Sequence, residues 1–387
     1  MSSTTEERQV WQPLHPQVRP RLDPQYVEVH DKLLQYAPPT HTQPWSAAMR
    51  QPSQASVKTG LDVVPVLTEE VQLERFTILV LTPVTNADDE PRPESGWPVF
   101  VWFHGGGFVL GDHSSELDLL TRICATARCV VCSVGYRLAP EHPYPAAIED
   151  GTDGVRWILS GAQDGGATRF SIDRNRWAIG GVSAGALLST VTLISLGEAG
   201  DLDSGAMARP LRQVLIVPVV DNTAMPGSGF WSINPHAISP SAERMLWYRR
   251  LWLGDADPRV WSVSVNHASD KQLAYMPPTF TAIGGEDLLA PEGLAFVDQL
   301  RGAGVDVETM MLPGCPHAIL AFAGFVFHST CAARGNGLLT HHVNTDASTR
   351  QRTYSTCAWI ASQSRLATEP EKEKKQNKNS LRRMRVG

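Results

Sequence analysis

The sequence predicts an α/β fold with a mostly parallel central sheet, and three observations carry that prediction. Strand-like apolar runs alternate with helix-like segments over most of the chain, which implies right-handed crossovers between parallel strands. Runs such as Pro98–Phe103 (PVFVWF) are continuously apolar and too short for a helix, as expected of strands covered on both faces. With 387 residues, the chain can bury a large core as one α/β domain with insertions.

Taken in order, residues 1–60 are rich in proline and polar residues and read as an arm on the main body. One helix-like piece, Tyr26–Tyr36, lets Val27, Leu33 and Leu34 share a face. LDVVPVL (61–67) and Phe76–Leu81 are expected as two antiparallel strands at a sheet edge. Asp88–Gly96 is a polar turn region that leads into the buried strand at Pro98–Phe103. A helix over 115–128, a strand over 129–136 and a helix over 144–160 carrying Ile148, Val155 and Ile158 follow. The connection YRLAPEHPYPAA (136–147) is stiffened by its prolines. Arg137 and Glu141 are read as a structural pair within it, and His142 as a packed loop histidine. Strands are expected at 212–220, 278–284 and 305–312, and a helix at 294–303. Residues 221–275 interrupt the alternation and hold Trp231, Trp247, Trp252, Trp261, Tyr248 and Leu246. This composition suits a cap whose inner face lines an apolar pocket, with Met245, Leu246 and Phe230 as walls, or aromatics that fasten the insertion to the body. AILAFAGFVF (318–327) reads as a closing helix of a main domain spanning 61–333. Residues 334–387 lack periodicity and end in a charged basic stretch, the pattern of a poorly structured extension.

Composition excludes several function classes. A net charge of −6 implies no general attraction to nucleic acid or an anionic membrane. The opening MSSTTEERQV lacks a secretory signal and no apolar run is long enough to span a bilayer, so no stable membrane insertion and a cytoplasmic address are expected. The six cysteines lack the paired Cys-x-x-Cys spacings of a zinc site. Cys129 and Cys132 stand in the strand-like run CVVCSVGY as free buried thiols.

Two stretches carry chemistry. In WAIGGVSAGA (177–186) an apolar strand gives way at Ser183 to a helical pattern, and a Gly-x-Ser-x-Gly at such a junction forces the serine into a tight corner with its hydroxyl outward. In HGGGF (104–108), three glycines follow directly on a core strand. Without side chains in the way, their N–H groups can be aimed at a developing anionic oxygen.

HGGGF at 104–108, YRLAPEHPYPAA at 136–147 and GVSAG at 181–185, in this order, resemble the hormone-sensitive-lipase branch of the α/β-hydrolases, over about residues 60–320. The opening HPQVRPRLDP (15–24) resembles fungal members of that branch. The resemblance implies an α/β-hydrolase fold with a cap, contributed here by the arm and the insertion, and no metal or cofactor. It implies a Ser…Asp…His order of catalytic residues, met here by Ser183, Asp287 and His317, the last two each just past a predicted strand end. Glu286, beside Asp287, is the alternative carboxylate. The N–H groups of Gly106, Gly107 and Ala184 would receive the oxyanion, with Gly105 shaping the loop and able to contribute. Val182, Pro291 and Ala318 depart from residues common in the branch without removing a triad member. The implied partner is a small-molecule ester with a short or medium acyl group, or an acetylated secondary metabolite. The same fold also serves catalytically silent binding proteins, amidases and lyases.

Overall fold

The structure, a computed structural model, describes residues 8–51, 62–85, 92–203, 207–318 and 320. Its chain order is α1 (Pro24–Lys32), β1 (Leu67–Gln72), β2 (Thr77–Thr82), β3 (Trp97–Phe103), α2 (Leu117–Ala127), β4 (Val130–Gly135), α3 (Ala146–Ile158), α4 (Gly166–Arg169), β5 (Ile172–Val182), α5 (Ala184–Glu198), β6 (Arg212–Ile216), α6 (Ala242–Leu253), α7 (Asp270–Leu273), β7 (Thr279–Gly284), α8 (Ala290–Gly302) and β8 (Val307–Leu312). The strands form one sheet in the order β1-β2-β4-β3-β5-β6-β7-β8. It is antiparallel at β1–β2 and β2–β4 and parallel elsewhere.

Every residue of β3 is buried, and its side chains alternate between two cores. Val99, Val101 and Phe103 join Val155, Leu187 and Val297 of α3, α5 and α8 on one face; Phe100 and Trp102 join Leu119, Leu120 and Ile123 of α2 on the other. Both faces are therefore covered, which is why β3 reads as an unbroken apolar run. Each such aromatic or aliphatic side chain contributes about 1.5–3 kcal/mol on burial.

Three local expectations are corrected. The first edge strand lies at Leu67–Gln72 rather than 61–67, and of its residues Val71 alone is buried, while Val63 and Leu67 are exposed. An edge strand with so little covered surface leaves no apolar signature, whereas its partner TILVLT does. The arm helix ends at Lys32 and buries Tyr26 and His30; Val27 and Leu34 pack, partly buried, on the arm cluster as expected, but Leu33 is 51% exposed. Arg137 pairs not with Glu141 but with the fully buried Asp150 of α3, through Nε and a terminal nitrogen at 2.8 and 2.9 Å, and with Glu149. Glu141 is taken instead by Arg50 of the arm. Removing one partner of a buried pair such as Arg137–Asp150 costs about 3–5 kcal/mol. Most of the closing helix expected at 318–327 and the whole extension at 334–387 lie outside the described residues.

Among the described residues no helix is long and apolar enough to cross a membrane. Cys124, Cys129, Cys132 and Cys315 are buried, and burial raises the pKa of Cys124 and Cys132.

Candidate active site

Ser183 sits between β5 and α5 with φ +57° and ψ −116°, a conformation that costs a non-glycine residue about 1–3 kcal/mol. Its surroundings hold it there. Ser183 N–H donates to Ile216 O on β6 at 2.8 Å, and Ser183 O accepts from Ala186 N at 3.1 Å. The turn closes because Gly181 and Gly185 have no Cβ: one on Gly185 would lie 2.0 Å from Phe103 O, and one on Gly181 would lie 2.3 Å from the Gly185 carbonyl carbon.

Two loops at the carboxyl ends of neighbouring strands complete the site. Asp287 follows β7 and His317 follows β8, and the loops are clipped together by Gly285 N–H to Leu312 O (2.9 Å) and Glu286 N–H to Cys315 O (3.0 Å). His317 Nδ1 lies 2.8 Å from Asp287 Oδ2, and His317 Nε2 lies 2.8 Å from Ser183 Oγ. The Asp287 side chain is 1% exposed and that of His317 12%, so the line of bonds runs from the interior to the cavity. Glu286 does not compete for the histidine, because Arg21 of the arm holds its carboxylate at 2.9 Å. The arm also grips the histidine loop directly. Asp23 N–H donates to Gly314 O at 3.0 Å, and Ala318 packs on the arm cluster of Leu14, Val18, Leu22 and Tyr26.

The glycine loop after β3 faces Ser183 across a cavity of about 280 Å³, lined by Gly105, Gly106 and Gly107 together with Ser183 and His317. Gly106 and Gly107 take φ of +109° and +64°. Among the described residues no hydrogen bond engages their N–H groups. Ala184 is the first residue of α5, where N–H groups lack an intrahelical acceptor. Gly105 differs, since its N–H is aimed at Glu116 Oε1 at 3.5 Å, the long limit of a hydrogen bond. Behind the loop, His104 is stacked on Tyr136 with ring centroids 4.2 Å apart, and Tyr136 Oη donates to His104 O at 2.8 Å. Burial lowers the His104 pKa to about 4, so its ring is neutral.

Of the expected pocket walls, Met245 lines the cavity, while Leu246 and Phe230 pack against the core instead. Trp231, Trp247 and Trp252 are buried, so these three fasten the 221–275 segment to the body, and Tyr248 supplies its aromatic face to the cavity. Sequence reasoning missed Glu116, Arg244 and the supporting role of Tyr136. Tyr136 opens the YRLAPE motif and was visible there, whereas Glu116 and Arg244 reach the site only through tertiary folding.

Glu116 lines the cavity, yet protein encloses its carboxylate, which accepts from Trp102 Nε1 at 3.1 Å. Burial pushes its pKa from 4.5 up to about 7. A carboxyl that binds its proton more tightly when folded stabilises the fold while protonated. That contribution is complete below pH 4.5 and is lost as pH rises through about 7. Glu292, pushed up to about 8, adds a second loss of the same sign. The melting temperature is therefore expected to fall between about pH 5 and 8, and Glu116→Gln to remove part of that fall. Scanning calorimetry of both proteins across this range checks it, and parallel curves would refute the assignment to Glu116.

Comparison with known proteins agrees with this architecture. The α/β hydrolase fold family matches residues 100–321. The chain is 34% identical over 334 residues to an AB hydrolase superfamily protein of Schizosaccharomyces pombe, a match covering 83% of this chain and 93% of that one. It is 30% identical over 328 residues to the carboxylesterase NlhH of Mycobacterium tuberculosis, covering 83% and 95%. A thermostable esterase from Pseudomonas putida shares the fold with a TM-score of 0.72 at 21% identity, over 91% of this chain and 99% of that one. By the family match, these relatives and its own topology, the chain belongs to the α/β hydrolase fold family.

Proposed function

We propose that this protein is a serine hydrolase that cleaves carboxylic esters of small molecules through an acyl-enzyme. The observation that carries the reading is the unbroken line Asp287 Oδ2–His317 Nδ1, His317 Nε2–Ser183 Oγ, each link 2.8 Å, ending on a strained serine that faces a cavity. A serine hydroxyl is a weak nucleophile until a base within hydrogen-bond reach takes its proton. In this reading His317 Nε2 takes the proton as Ser183 Oγ attacks the ester carbonyl, and Asp287 holds the imidazole in the tautomer that leaves Nε2 free. The tetrahedral oxyanion is received by the N–H groups of Gly106, Gly107 and Ala184, with Gly105 shaping the loop. His317 then protonates the leaving alcohol. Water attacks the acyl-enzyme with His317 again as base, the carboxylic acid departs and Ser183 regains its proton.

A cavity of about 280 Å³ lies at the lower end of small-molecule sites, which supports short to medium acyl groups. The 221–275 segment acts as a cap through Met245 and Tyr248, and the arm braces the histidine loop. The relative named a carboxylesterase supports the ester class. The test is hydrolysis of p-nitrophenyl esters of increasing acyl length beside the matching anilides, with intact-mass analysis after a fluorophosphonate. The specificity constant is expected to rise, at up to ~0.8 kcal/mol per buried methylene, then fall once the cavity is full. Faster anilide cleavage would make the enzyme an amidase, and absence of both turnover and adduct would make it a binding protein.

A further inference from the structure

Arg244 is the one lysine or arginine side chain lining the cavity, among the described residues. It lies in the first turn of α6, and its Nε donates to Tyr248 Oη at 3.2 Å. That tyrosine ring packs directly over the glycine loop, where a Cβ on Gly107 would come within 2.5 Å of it. The guanidinium, with its central carbon 5.6 Å from the Tyr248 ring centroid, is thus tied through one side chain to the wall of the reaction site. Its two terminal nitrogens make no hydrogen bond or ion pair among the described residues. The neighbouring carboxylate, Glu243, is engaged instead by its own backbone N–H and by Ser241, with His41 nearby. Of the other arginines on α6, Arg249 donates to Ala224 O at 2.8 Å and lies over Trp231, and Arg250 is exposed; neither lines the cavity.

Val182, Val219, Pro240 and Met245 make much of the remaining wall apolar. A neutral, apolar substrate filling this space would strip water from the guanidinium without replacing its hydrogen bonds, which is unfavourable. A substrate carboxylate would supply two parallel acceptors in the plane of the fork. The acidic group on the wall, Glu116, is engaged by Trp102 behind the glycine loop.

We propose that Arg244 is a specificity-determining residue that seats a carboxylate carried by the substrate away from the scissile bond, so that the preferred substrates are anionic esters. This rests on the hydrolase reading above and narrows its substrate class. The carboxylate can belong to the acyl part, as in the half-ester of a dicarboxylic acid, or to the alcohol part, and the experiment separates the two.

Initial rates are followed by pH-stat on two pairs: monoethyl glutarate against ethyl pentanoate, and acetoxybutanoate against pentyl acetate. In the wild type, one anionic member is expected to exceed its neutral partner in kcat/KM by about tenfold or more, equivalent to about 1.4 kcal/mol, and the pair showing this identifies the side. Arg244→Met is expected to collapse that ratio mainly through KM. Arg244→Lys should retain part of it, since charge survives without the fork, and Arg250→Met, exposed on the same helix and outside the cavity lining, should retain all of it. Added salt should shrink the wild-type ratio. Glutarate binding by calorimetry reads Arg244 without turnover. Loss of binding in Arg244→Met supports the carboxylate seat even in a preparation that cleaves no ester, an outcome that sinks the hydrolase reading alone. Turnover of neutral esters with no anionic preference in either pair, or a ratio unchanged in Arg244→Met, overturns the proposal.

Discussion

Ser183→Ala and His317→Ala are each expected to lower kcat for a short p-nitrophenyl ester by about 10⁴-fold or more, and the double variant by no more than the worse single one. The reason is geometric. His317 Nε2 lies 2.8 Å from Ser183 Oγ, so under the proposed mechanism the two share one proton transfer. Either deletion therefore removes the same step. Asp287→Asn belongs to the same unit, because an amide NH₂ facing His317 Nδ1, which lies 2.8 Å from the present carboxylate oxygen, would favour the tautomer with its proton on Nε2. Glu286→Gln is expected to do far less, since that side chain meets Arg21 rather than the imidazole. Steady-state kinetics on the purified variants, with mass analysis of the phosphonylated serine, reads all five. A Ser183→Ala protein that keeps even a tenth of the wild-type rate would show that the hydrolysis belongs to another residue.

How much of this was legible in the sequence follows from what each feature depends on. Buried parallel strands announce themselves, because Trp97–Phe103 and Thr279–Gly284 are covered on both faces and are correspondingly poor in charged residues. Ser183, Asp287 and His317 each follow the end of a parallel strand, so the order that the family resemblance implies could be placed on one rim. Features set by contacts distant in sequence were not legible. Arg137 was assigned to Glu141, four residues away, but the structure gives it Asp150 and gives Glu141 to Arg50, 91 residues earlier. The edge strand β1 was displaced because LTEEVQ buries one side chain. Leu246 could not be told from Met245, since apolar and aromatic residues run round α6 between its charged ones, and Phe230 lies outside that helix at Gly229–Ser232. The bracing of the histidine loop by Asp23 and of the neighbouring aspartate loop by Arg21, both from the arm, had no local signal at all.

Gly106→Ala is expected to lower kcat by about 10²–10³-fold while leaving Ser183 open to a fluorophosphonate, which separates it from the loss of the nucleophile itself. Gly106 has φ +109°, a value L side chains rarely adopt, and a Cβ there would lie 2.0 Å from Leu110 O and 2.5 Å from its carbonyl carbon. Those atoms are backbone, fixed by Leu110 N–H and Val109 N–H donating back to Gly106 O at 2.9 and 3.1 Å, so no side chain can swing away to make room. The turn must open. The far side of the loop cannot follow, since Tyr136 Oη anchors His104 O at 2.8 Å and Tyr248 covers Gly107. The displacement therefore falls on the N–H groups of Gly106 and Gly107, the two donors that face the cavity without an acceptor. An oxyanion that loses one aimed donor loses stabilisation present only in the transition state, so the deficit should appear in kcat with KM little changed. A circular dichroism spectrum and melting curve near wild type exclude global unfolding as the cause. If such a folded Gly106→Ala protein turns over at the wild-type rate, the glycine loop is not where the oxyanion is held, and the N–H of Ala184 would have to act without it.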